Sequence, residues 1–554
     1  MLFFTTLAST FMLPALAATL NASQDLPVVD LGYQLHRAIS LNVIGYYNFS
    51  NIRYAAPPVG ELRFRAPSPP VTNRSIIQNG KQGRICPQGL PAWQIKAAEW
   101  ALPYIVDGTV PSNYSYSLTS PSNVTISDVR DSREAEDCLF LDVMVPKKVF
   151  EGRNKGVRAP VLVYIYGGGY TNGEKGSVDP TGILARSQTH SATGVIYVAM
   201  NYRTGAFGFL SGPTFQEGGT ANAGLYDQRM ALEWIQTYIH LFGGDRNRVT
   251  VFGGSAGAGS LIHQVVAFGG GQRAPFQQAV PQSPGWPNSP TLFAQEETFN
   301  DFLAQAGASS LAELRQIPSR DLIHANALQI ARAPYASFIY GPVIDGKFVT
   351  QDPRVLLNHD QYFKDLRVLV AHNTNEGLGF APPSINNSDF YDLVRTGFPT
   401  AEPSVLNLLT DEFYPPPSNE SSLYHDQISR AAFLATESNF ACKAFSFGRA
   451  FNESYGYWFD VFPAIHGLDS SYVFFNPHEK GSSSPNETLA FAIQDYITTF
   501  AINGIPSSSV DGLAAFPKYG EQGNVIKLSA TSISHAVDMV ANDRCRWYDL
   551  GLYM

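Results

Sequence analysis

Short apolar runs and amphipathic stretches alternate through the middle of this chain. Val161-Leu162-Val163-Tyr164-Ile165 and Leu366-Arg367-Val368-Leu369-Val370 have the length and β-branched content of buried strands. Between them, residues 226–241 place Met230, Ala231, Trp234, Ile235, Tyr238 and Ile239 at helical spacing, and Phe242-Gly243-Gly244-Asp245 breaks that pattern. Val249-Thr250-Val251-Phe252 then reads as a strand and residues 261–266 as helix. Further on, residues 455–462 predict an aromatic strand, and Tyr472-Val473-Phe474-Phe475 fits a second one. Nearer the start, Trp93, Ala97 and Trp100 recur at helical spacing beside Ile95, Ala101 and Leu102, which predicts a short helix with one apolar face.

One junction in this pattern carries chemistry. Gly253-Gly254-Ser255-Ala256-Gly257 lies between the strand at 249–252 and the apolar stretch at 261–266. Glycines two before and two after a serine suit a turn too tight for side chains, which lifts the hydroxyl clear and leaves the Ala256 amide at a helix start. The pentapeptide alone is weak in a glycine-rich chain; its setting of helix, strand, turn and helix is what marks Ser255 as a nucleophile suited to acyl transfer.

At 554 residues and 44% hydrophobic content the chain can bury a large core, and no linker divides it. A net charge of -9 without a Lys/Arg run or an acidic tail points away from nucleic acid and toward a small neutral or weakly polar substrate. Residues 2–16 form a short apolar run ending in Ala15-Leu16-Ala17, which predicts a secretory signal peptide over residues 1–17 and no integral membrane segment after its removal. Four cysteines, Cys86, Cys138, Cys442 and Cys545, fit two disulfides in an oxidising compartment, with three connectivities open and a spacing unsuited to zinc. Sequons begin at Asn21, Asn48, Asn73, Asn113, Asn123, Asn386, Asn419, Asn452 and Asn486, in keeping with a glycosylated, extracellular protein.

The chain resembles the type-B carboxylesterase/lipase family, which includes the cholinesterases. The resemblance rests on Tyr54-Ala55-Ala56-Pro57-Pro58-Val59-Gly60, Glu136-Asp137-Cys138-Leu139, Tyr166-Gly167-Gly168-Gly169-Tyr170, Asn201-Tyr202-Arg203, and Asn222-Ala223-Gly224-Leu225-Tyr226-Asp227-Gln228 leading into the serine turn. Later, Gly341-Pro342-Val343-Ile344-Asp345-Gly346, Asn375-Glu376-Gly377 and Ile465-His466-Gly467 keep the family order. The resemblance implies an α/β-hydrolase fold, a mostly parallel central sheet flanked by helices forming one domain over 18–554, with the active site at the carboxyl ends of the strands.

Within that fold the chain order is nucleophile, acid, base. The loop after the strand at 366–370 then makes Glu376 the acid, and the loop after the aromatic strand makes His466 the base, with His478 as the alternative because 472–475 could be a strand ending near it. By the same analogy the amides of Gly168, Gly169 and Ala256 form the oxyanion hole. The reaction this implies is hydrolysis of a small-molecule or lipid carboxylic ester through an acyl-enzyme, requiring no metal or organic cofactor. The family pairs Cys86 with Cys138, which leaves Cys442 and Cys545 for a second bridge; the first loop acts as a flap in some lipases, so its Trp93–Trp100 helix reads either as a lid or as packing. Gly254 stands where much of the family carries an acidic residue, which argues against a cationic ester. Readings on the same fold that remain are a secondary-metabolite esterase or lactonase, an acyltransferase, and a non-catalytic adhesion protein.

Overall fold

A computed structural model describes residues 26–110, 121, 124–127, 129–418, 423–479, 486–510, 512–513 and 515–554. The predicted leader over residues 1–17 and the sequons at Asn21, Asn113, Asn123 and Asn419 lie outside them. The large sheet has eleven strands: β1 Ser40–Leu41, β2 Tyr46–Arg53, β3 Phe140–Pro146, β4 Ala159–Ile165, β5 Ile196–Met200, β6 Gly244–Gly254, β7 Gln278–Gln282, β8 Arg367–Asn373, β9 Ser454–Asp460, β10 Asn524–Ser529 and β11 Ile533–Val537. Their spatial order is β11-β10-β9-β8-β7-β6-β4-β5-β3-β2-β1. The seven strands from β10 to β5 pair in parallel, and the edges are antiparallel.

Sequence pattern follows position in the sheet. Every residue of β4 and β5 is buried, as a strand covered by helices on both faces requires, whereas β3 near the edge alternates buried Leu141, Val143 and Val145 with half-buried neighbours. Five helices matter for the site: α1 Ala92–Asp107, α2 Ala223–Tyr238, α3 Ala256–Val266, α4 Gln427–Thr436 and α5 Cys442–Arg449. Helix α3 is buried along its whole length and α2 packs its Leu225, Ala231, Trp234 and Ile235 inward, matching the 3.6-residue spacing. Both disulfides form, Cys86–Cys138 and Cys442–Cys545.

One predicted element differs. Tyr472 and Val473 belong to a short helix, Ser470–Val473, and Phe474 follows it, so among the described residues no strand ends near His478. A four-residue apolar run fits either state, and here Tyr472 and Val473 are buried from a helical turn that leads off the His466 loop. Among the described residues no helix is long and apolar enough to cross a membrane. Of the described sequons, Asn73, Asn386 and Asn452 are exposed, Asn486 is half-buried at a helix N-cap, and Asn48 is half-buried inside β2, paired with Ser40 and Met144.

Candidate active site

Ser255 sits between the end of β6 and the start of α3 with φ 57° and ψ −127°, a strained backbone for a residue with a Cβ. The flanking glycines allow the turn to press on β4: a Cβ at Gly253 would fall 2.4 Å from the Ile165 carbonyl oxygen, and one at Gly257 2.1 Å from it. The turn is also tied to β7, since Ser255 N–H donates to Gln282 O at 3.0 Å. The hydroxyl therefore stands at the carboxyl end of the parallel strands.

Two neighbouring loops at the same sheet end bring in the other side chains. The loop after β8 carries Glu376 and the loop after β9 carries His466, and they are zipped together by Asn375 N–H to Ala464 O at 2.8 Å and Asn373 Nδ2 to Ile465 O at 2.8 Å. His466 Nε2 lies 2.8 Å from Ser255 Oγ, and its Nδ1 lies 2.5 Å from Glu376 Oε2. With Nδ1 protonated, the imidazole donates to Glu376 and accepts from the serine hydroxyl. Glu376 is fully buried, and its Oε1 accepts from Asn373 N–H at 2.6 Å and Ser283 Oγ–H at 2.5 Å. Three donors thus compensate the burial of one carboxylate.

The glycine loop after β4 closes the third side. Gly168 and Gly169 take φ of 97° and 60°, and a Cβ at Gly167 would meet Ser255 Cβ at 3.0 Å, so this backbone lies against Ser255. Gly169, Ser255 and Ala256 line one cleft. His478 has no part in this arrangement; its backbone N–H bonds Asn476 Oδ1 in a turn.

Sequence reasoning missed several residues. Ser283, one residue past β7, orients Glu376; a small polar residue just after a buried strand was its only signal. Asp469, three residues after His466, is 2% exposed and collects long contacts from Gln282 Nε2 at 3.3 Å and from Asn373 Nδ2 and Tyr457 O–H at 3.4 Å. Burial, and next the Glu376 carboxylate, push its pKa up to about 6. Phe440 also lies here, its ring centroid 4.1 Å from that of His466.

The cleft in front of Ser255 has a volume of about 270 Å³. Its walls include Trp286, Phe338, Phe380, Phe398 and Phe440, with Asn288, Ser337 and Asn439 as polar points, and no Asp, Glu, Lys or Arg among the described lining residues. Helix α1 backs this wall: Trp93 Nε1–H donates to Ser337 O at 2.8 Å, Trp100 Nε1–H to Tyr335 Oη at 3.0 Å, and Trp93 packs on Phe338 and Phe380. Trp93, Ala97, Trp100 and Ala101 of α1 are thus buried against this wall.

Solved structures share this architecture. EstA of Aspergillus niger superposes with a TM-score of 0.78 at 24% identity, covering 96% of this chain and 99% of that one, and a thermophilic PNB esterase does so with 0.72 at 24% identity, covering 94% and 99%. The fold is that of an α/β-hydrolase. The chain belongs to the carboxylesterase family, whose model matches residues 35–546. It is 40% identical to Carboxylesterase patB of Penicillium expansum over 95% of this chain and 96% of that protein, and 31% identical to a secreted lipase of Arthroderma benhamiae over 73% and 78%. Membership and relatives support hydrolysis of carboxylic esters.

Proposed function

We propose that the protein is a secreted serine hydrolase of neutral carboxylic esters, working through an acyl-enzyme on Ser255. The observation that carries this reading is the continuous chain of short contacts from Ser255 Oγ through His466 to buried Glu376. Ser255 Oγ attacks the ester carbonyl carbon while His466 Nε2 takes its proton. The charge on the carbonyl oxygen develops toward the amides of Gly168, Gly169 and Ala256, and Glu376 balances the imidazolium. As the tetrahedral intermediate collapses, the carbon–oxygen bond to the alcohol breaks and His466 returns the proton to the leaving oxygen. Water repeats the cycle on the acyl-enzyme and frees the acid.

Residues 1–17 serve as the secretory leader, residues 18–554 as one hydrolase domain, and the exposed sequons as glycan sites; a secreted relative and two disulfides support that compartment. An uncharged, aromatic-walled cleft of about 270 Å³ favours small or medium neutral esters, in line with the relatives named carboxylesterases. The test is hydrolysis of p-nitrophenyl esters from acetate to palmitate by the wild type and Ser255→Ala. Turnover lost in the variant and highest for short acyl groups is the expected result; turnover retained by folded Ser255→Ala would refute the nucleophile.

A further inference from the structure

We infer that Phe440 is a positioning residue for His466, delivered by a π-helical turn and tied down from the far side of the fold; this rests on the reading of His466 as the general base. Helices α4 and α5 are one continuous helix except for the wide turn Glu437–Ala441 between them. Such a turn inserts one residue and offsets everything after it, and it recurs at functional sites. Here it presents Ser438, Asn439 and Phe440 to the cleft. The Phe440 ring lies over the imidazole, centroids 4.1 Å apart and planes tilted by 34°, while Phe380 meets the same imidazole edge-on at 5.9 Å.

The ring is held there at some structural cost. Gly285 passes so close that a Cβ would come within 2.7 Å of Phe440 Cε1, and Gly285 N–H donates to Ser255 O at 3.1 Å. Phe440 therefore occupies a slot bounded by the nucleophile's own backbone. Upstream, Thr436 Oγ1 accepts from Gly377 N–H at 2.9 Å, fastening the helix to the residue after Glu376. Within the turn, buried Glu437 takes two bonds of 2.7 Å from Arg544 and one of 2.7 Å from Tyr414 O–H, and Cys442 is bridged to Cys545 just beyond it. One rigid helix thus touches both the acid's loop and the face of the base.

The physical effect is twofold. An aromatic face packed on the imidazole denies it the space to swing away from Ser255 and Glu376, and a displacement of about 1 Å at such a group can cost on the order of 100-fold in rate. The ring also places its π face beside the imidazolium that forms as the serine loses its proton.

The experiment compares Phe440→Leu, which keeps apolar bulk, and Phe440→Ala with the wild type. It reads kcat and KM for p-nitrophenyl acetate, and the rate at which a dialkyl fluorophosphate labels Ser255. Expected is a fall in kcat of about 10-fold or more, with KM within about 2-fold, and a matching slowing of labelling. Unchanged kcat and labelling, with only KM or acyl-length preference altered, would reduce Phe440 to a wall of the cleft and overturn the inference. A wild type that neither hydrolyses the ester nor takes the label would overturn the serine-hydrolase reading itself, and the inference with it.

Discussion

The two disulfides anchor regions that approach the same cleft from different sides and do different work there. Cys86–Cys138 closes the segment containing α1, whose Trp93 and Trp100 support Tyr335, Phe338 and Phe380 in the cleft wall. Cys442–Cys545 binds the C-terminal segment to the helix that touches Glu376's loop and His466. The first region reaches His466 at one remove, through Phe380; the second touches Glu376's loop and His466 directly. Both regions bury a charge pair, Arg63 with Glu136 in the first and Arg544 with Glu437 in the second, and the first adds an exposed one. Arg133 in the first loop pairs with Asp131 and Glu174 at the surface, whereas Arg544 in the second pairs bidentately with fully buried Glu437.

The sharpest break comes from removing each bridge. With a sequence separation of 103, Cys442–Cys545 restrains the unfolded chain by about 4–5 kcal/mol, and the separation of 52 in Cys86–Cys138 is worth only slightly less. Cys442→Ser/Cys545→Ser and Cys86→Ser/Cys138→Ser should therefore lose similar stability in denaturant titrations. Assayed at low temperature on the folded fraction, the former should lower kcat and the latter should alter KM and acyl-length preference. Equal effects on kcat would erase the distinction.

Charge deletion should separate the exposed pair from the buried one, on a smaller scale than either bridge. Arg544→Ala leaves Glu437 buried without its cation and should cost on the order of 3 kcal/mol, whereas Arg133→Ala, half in solvent, should cost less than about 1 kcal/mol. Urea midpoints of the two variants measure both.

Raised pH offers the mildest probe of the second region. His372 on β8 is buried against Asp538, which precedes the Cys545 helix; Nε2 lies 2.8 Å from Asp538 Oδ1. Burial alone would discharge the imidazole, but the Asp538 carboxylate outweighs it and lifts the pKa to about 9. A histidine whose folded pKa exceeds its unfolded value of about 6.5 contributes stability that is full below that value and lost as pH rises through about 9. Unfolding midpoints should fall between pH 6.5 and 9 in the wild type, and His372→Gln should flatten that slope.

Much of this was legible because local rules and global fold agreed. The glycines around Ser255, the buried runs of β4 and β8, and the helical spacing of Trp93, Ala97 and Trp100 all specify one local structure, and the order of motifs placed Glu376 and His466. The chain hides what depends on a single inserted residue or on distant partners. Nothing in Glu437-Ser438-Asn439-Phe440-Ala441 announces a π turn, because the turn is sustained by Arg544 and Tyr414. Ser283 matters only because β7 and β8 are neighbours, which brings it to Glu376. Tyr472-Val473-Phe474-Phe475 was too short for its period to separate strand from helix.

The absence of Asp, Glu, Lys and Arg from the described walls of the cleft bears on how the reaction ends. Of the neutral ester proposed as substrate, one of the two fragments is an anion at neutral pH. No side-chain cation among those walls offsets the lost hydration of that carboxylate, so its retention is penalised while the parent ester is welcomed. Weak retention of that acid would leave the site free for the next ester as product accumulates, without altering the equilibrium between them.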